Sequence, residues 1–78
     1  MATILPDLII DVRGLTCPRP LLRMKKSLDG MQRGQILKVL TTDIATKATF
    51  PPYLRRSGDT LLAVEEDGKE INHYIEKK

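Results

Sequence analysis

An α+β sandwich, with four strands in one mixed sheet and two helices on one face, is the fold class this 78-residue sequence predicts. Three observations predict it. Short runs rich in β-branched and apolar residues bracket stretches whose apolar positions recur every three or four residues. The opening strand–helix–strand order calls for a parallel pair joined by a crossover. Residues 60–77 alternate around Asp67-Gly68, a strong short-turn signal that makes the chain's end a hairpin. The order is β-α-β-α-β-β, and with no internal repeat, residues 1–78 are expected to form a single domain.

Taken in order, "LIIDV" at residues 8–12 is a short strand with Leu8, Ile10 and Val12 on one face. Gly14 marks a turn. From Pro18 to about Asp29 the period becomes helical: Leu21, Met24, Leu28 and Met31 form an apolar stripe, and Arg19, Arg23 and Lys26 a basic ridge on another side. Gly30 is placed as the helix stop. "QILKVLTT", residues 35–42, is the second strand. Asp43 is suited to cap a second helix from Ile44. That helix is expected to break at Phe50, because Pro51 disfavours the helical region for its predecessor. A fresh segment then begins with Pro51 and Pro52 and ends at Gly58. Lys38, Glu65, Asn72 and Glu76 suit a partly wet outer sheet face, whereas His73 alternates with Ile71 and Ile75 and so faces the core.

Composition narrows the function. A chain of this size buries only about 60% of its unfolded surface, so its stability is modest. The longest apolar run, Leu8-Ile9-Ile10, is far too short to span a membrane, and "MATILPDLII" has no basic start of a leader. A single cysteine makes no internal disulfide, which agrees with a cytoplasmic location. One cysteine and one histidine do not make a zinc site, so no metal is expected. The net charge of +3 and pI near 9.2 are mild, and three aromatics (Phe50, Tyr53, Tyr74) are few for base stacking.

The residues that carry chemistry are in "DVRGLTCPRPLLRMKK". If the first helix begins at Pro18, Cys17 is its N-cap. Pro18 and Pro20 then sacrifice no helical bond, since first-turn amides have no internal acceptor, and their rings stiffen the elbow that holds the thiol. The positive end of a helix favours an anion, and Arg13 and Arg19 are placed to add to it. The thiolate is the form that attacks sulfur. Asp11 either approaches the thiol or makes local hydrogen bonds at the strand end. With no second cysteine, no nearby histidine and no phosphate loop, the thiol suits a group carrier better than a hydrolase. The ridge of Arg19, Arg23 and Lys26, with Leu22 beside it, is either a docking surface or a solvated helix face.

These residues resemble the TusA/SirA-like family of small sulfur carriers. Its pattern of an acidic residue, a glycine and Cys-Pro-x-Pro opening a helix is matched by Asp11, Gly14, Cys17, Pro18 and Pro20, and the stretch from Gly34 to Asp43 follows it. The resemblance implies a persulfide on Cys17, loaded by a cysteine desulfurase or rhodanese-like donor and passed to an acceptor protein. The pathways it implies are tRNA 2-thiouridine synthesis, sulfur oxidation or molybdenum-cofactor metabolism. It implies no metal or organic cofactor. The chain is expected to engage no membrane, to meet nucleic acid only indirectly, and to be a monomer. The chain departs from the pattern at Ile44, Thr49, Pro52 and Asp59, so the resemblance implies the carrier chemistry but not the partner or which of these pathways it serves. Two other readings use the same scaffold. An RNA-binding module would show salt-dependent RNA binding that survives Cys17→Ser. A redox-regulatory module would respond to peroxide without loading sulfur.

Overall fold

The computed structural model describes residues 4–78. Met1–Thr3, where the sequence shows no basic leader, lie outside the described residues. The elements are β1 (Leu8–Asp11), α1 (Arg19–Asp29), β2 (Ile36–Thr41), α2 (Thr46–Ser57), β3 (Thr60–Asp67) and β4 (Glu70–Glu76). They make the predicted four-stranded mixed sheet, in the order β1-β2-β4-β3. β1 pairs parallel with β2, and β4 runs antiparallel to both β2 and β3.

Alternation drives the layering. Leu37, Val39 and Thr41 of β2 are buried, as are Ile71, His73 and Ile75 of β4. Met24 and Leu28 of α1 and Phe50 and Leu54 of α2 close over this face, with Val12 completing the core. Fully burying side chains of this size contributes about 1.5–3 kcal/mol each, so these few apolar anchors carry most of the stabilisation. On the opposite face Tyr74 is covered by Lys38, whose Nζ lies 5.3 Å from the ring centroid, and donates its hydroxyl to Glu65 at 2.9 Å. Among the described residues, no helix is long and apolar enough to cross a membrane.

Four expectations need correction. Helix α1 starts at Arg19 with Pro18 as its cap, so Cys17 stands one residue before the cap. The reason is local: the Arg19 amide donates to Thr16 at 3.0 Å, closing a turn that winds the chain into the helix one residue late. Helix α2 starts at Thr46 rather than Ile44, because the Asp43 carboxylate accepts from Ala45 and its carbonyl from Thr46, which makes a separate turn before the helix. That helix does not break at Phe50 but runs through Pro51 and Pro52. Phe50 and Leu54, one turn apart, are both buried, and their packing outweighs a proline penalty of about 3 kcal/mol or more. The carbonyls that lose a donor belong to exposed Lys47 and Ala48, which water can serve. Finally, Asp67 pairs with Glu70, so the hairpin loop is Gly68-Lys69, with Gly68 at φ +62°.

Candidate functional site

Parallel pairing sets the site. Because β1 and β2 run the same way, the loops that leave them emerge at one end of the sheet. The β1–α1 loop is fastened by three hydrogen bonds, one to the end of β2 and two to the β2–α2 loop. Val12 donates its amide to the Leu40 carbonyl at 2.8 Å, Gly14 to Thr42 Oγ1 at 2.9 Å, and Cys17 to Asp43 Oδ2 at 2.7 Å. Gly14 turns at φ +83°, a left-handed conformation that glycine adopts without strain. Cys17 is thus held by its backbone while its residue remains exposed.

The flanking prolines differ in role. Pro18 is exposed at the cap and follows a cis peptide bond; Pro20, the second helical residue, is buried. Pro20 therefore anchors the first turn of α1 into the core beneath the thiol loop. The helix end offers fewer donors than its sequence suggests. Neither proline has an amide hydrogen, Arg19 donates to Thr16, and Leu22 donates to Pro18 at 3.1 Å. That leaves Leu21 as the first-turn amide without an acceptor among the described residues.

Asp11 makes local hydrogen bonds, and none of them goes to Cys17. Its carboxylate takes a fork from Arg13, Nε at 2.9 Å and Nη2 at 2.8 Å, together with the Arg13 amide at 3.1 Å. These bonds lower the Asp11 pKa to about 2 and raise that of Arg13. Arg13 also reaches Glu70 Oε2 at 3.4 Å, so its charge is balanced on the outer side of the sheet instead of being offered to the thiol. Asp11 and Arg13 brace the loop against β4.

Arg19, Leu22, Arg23 and Lys26 come together with Leu15 around a groove of about 380 Å³ on the exposed side of α1. Leu22 is 58% exposed, and none of the three cations has a carboxylate partner within 4.0 Å among the described residues. The groove begins at Arg19, two residues from Cys17. Two contributors lie outside the sequence reading of the site. Leu15 supplies part of the groove's apolar lining. Asp43 is expected as a helix cap and as the end of the stretch shared with the family, but not as the acceptor that holds Cys17. The signal for Asp43 was present, since a carboxylate following the parallel partner strand meets whatever follows the first strand.

Three comparisons agree with this geometry. The family model described as Sulfurtransferase TusA matches residues 8–77. The chain is 37% identical over 71 residues to the sulfur carrier protein TusA of Allochromatium vinosum, covering 91% of this chain and 93% of that protein. It is 48% identical over 60 residues to a putative sulfur carrier protein of Neisseria meningitidis, covering 76% and 81%. A SirA-like protein from Desulfitobacterium hafniense has the same fold, with a TM-score of 0.76 at 26% identity over 88% of this chain and 95% of that one. The βαβαββ sheet, the Cys-Pro-Arg-Pro helix start and these likenesses together show that this chain belongs to the TusA family of sulfur carriers.

Proposed function

We propose that Cys17 carries the sulfur, taking it up as a persulfide and handing it to an acceptor protein. In the loading step the Cys17 thiolate attacks the terminal sulfur of a donor persulfide, R–S–SH. A new S–S bond forms at Cys17, the donor's own S–S bond breaks, and the donor leaves as a thiolate. Delivery is the same exchange in reverse roles: an acceptor thiolate attacks the outer sulfur and Cys17 departs as the thiolate. No electrons are gained or lost overall, so neither step needs a metal or redox cofactor.

The observation that supports this most is the combination at Cys17. The chain's one thiol is exposed, and its backbone is fixed by Asp43 and by the buried Pro20. A carrier needs its sulfur reachable by large partners yet presented from one place. Gly14, Asp11 and Arg13 support the loop, and Pro18 with Pro20 shapes its exit. Arg19, Leu22, Arg23 and Lys26 form the docking surface, on which a partner contributes carboxylates beside an apolar contact. The donors would be a cysteine desulfurase or a rhodanese-like protein in the cytoplasm. The acceptor would serve tRNA thiolation, sulfur oxidation or molybdenum-cofactor metabolism, with the carrier acting as a monomer.

Charging with a thiosulfate-treated rhodanese, followed by release of sulfide with a thiol reductant, tests the proposal. Wild-type protein should yield about one sulfide per chain and Cys17→Ser none; equal yields from both would remove Cys17 from the chemistry.

A further inference from the structure

A chain of hydrogen bonds links the thiol loop to a histidine in the core. Cys17 donates its amide to Asp43 Oδ2 at 2.7 Å, and Asp43 Oδ1 accepts the Ala45 amide at 3.0 Å. The Asp43 carbonyl accepts both the Thr46 amide at 3.1 Å and the Thr46 hydroxyl at 2.8 Å. Thr46 Oγ1 then lies 3.0 Å from His73 Nε2. A hydroxyl has a single hydrogen, and here Asp43 takes it. His73 Nε2 therefore carries its own hydrogen and donates to Thr46. The imidazole is neutral with Nδ1 bare, and that buried Nδ1 has no partner among the described residues.

This arrangement is expensive for a core of this size. Thr46 is 1% exposed and His73 0%, with the His73 ring 4.4 Å from Phe50. A buried polar atom left without a partner costs about 1–3 kcal/mol, whereas an aliphatic residue at position 73 would leave nothing unpaired. Val39 faces His73 from β2, and Ile71 and Ile75 fill the inward positions on either side of it on β4. What His73 adds to them is one directed donor, and the bonds it begins end on the backbone carbonyl of Asp43, the residue whose carboxylate holds Cys17. We infer that Thr46 and His73 are positioning residues for Cys17, acting through Asp43 to fix where the thiol loop presents its sulfur. The inference rests on the carrier reading above and adds the part of the core that sets the sulfur's place.

Thr46→Val removes the hydroxyl with little change of shape, His73→Leu removes the donor, and His73→Gln supplies an amide N–H near the Nε2 position. Each is compared with wild type in single-turnover sulfur uptake from a thiosulfate-charged rhodanese and in the position of the Cys17 amide resonance. Thr46→Val and His73→Leu should slow uptake at saturating donor by about 3–10-fold, as misplacement of a reacting atom does. The half-saturating donor concentration should stay within about twofold, because the docking groove is untouched. Both should shift the Cys17 amide resonance, and His73→Gln should restore rate and resonance together. A folded Thr46→Val protein with wild-type uptake and an unmoved Cys17 amide would overturn the inference, even if His73→Leu fails to fold. Should wild-type protein take up no sulfur, the carrier reading falls. The Cys17 amide resonance in Thr46→Val then decides the positioning by itself, a shift supporting it and no shift overturning it.

Discussion

The Cys17 amide donates to the Asp43 carboxylate across 2.7 Å, joining loops 26 residues apart in the chain. Since Cys17 stands before the helix cap, this bond and the turn at Thr16 do the holding that the sequence assigned to a capping position. The same carboxylate starts the turn into α2 through Ala45. One side chain thus organises both loops at the site.

Asp43→Ala should therefore lower stability by about 1–3 kcal/mol, because it strands two amides that donated to a charged acceptor. Urea unfolding at neutral pH measures this. A loss below about 0.5 kcal/mol would mean that water replaces the carboxylate freely.

Acid should destabilise the protein through His73. Burial pushes its pKa down to about 4, below the ordinary value of 6.5. The unfolded chain then binds a proton that the folded one refuses. The neutral imidazole's contribution is fully present above about pH 6.5 and is lost as pH falls towards 4. Between neutral pH and pH 5 the loss should be about 1–2 kcal/mol. His73→Gln should flatten that part of the stability profile. An unchanged slope would place the acid sensitivity elsewhere.

Charge reversal in the groove tests docking. Arg19→Glu with Arg23→Glu should raise the half-saturating concentration of a sulfur donor about tenfold at low ionic strength, and the deficit should shrink as salt is added. The unfolding midpoint should move little, since neither arginine has an ion-pair partner among the described residues. Unchanged saturation at low salt would make the ridge ordinary helix surface.

Pro52→Ala should stabilise the protein. Pro52 is exposed inside α2 and denies the Ala48 carbonyl its helical donor. Restoring that bond should raise stability by about 1 kcal/mol or more in urea unfolding, offset in part by the freer unfolded chain. A loss instead would show that the ring itself packs usefully.

The fold was legible wherever pattern and turn chemistry agreed. The stripe of Met24 and Leu28 and the alternation around His73 each specify a face, and each face is buried; the turn signal places the hairpin to within one residue. The exposed ridge at Leu22, Arg23 and Lys26 follows from the same wheel. What misled was local: Pro51 predicts a break by its own sterics, and burial of Phe50 and Leu54 overrides that through contacts distant in sequence. The Asp43–Cys17 bond was hidden for a related reason. It depends on two loops meeting at one end of a parallel pair, a property of topology that neither segment contains. Asp11 looked closer to the thiol in sequence, but its fork with Arg13 turns it towards Glu70.

Intact mass after exposure to a sulfur donor tests the central claim most directly. Wild-type protein should gain the mass of one sulfur atom, lose it on treatment with reductant, and gain nothing when Cys17 is replaced by serine. A wild-type chain that gains no mass, or a Cys17→Ser chain that still does, would contradict the account.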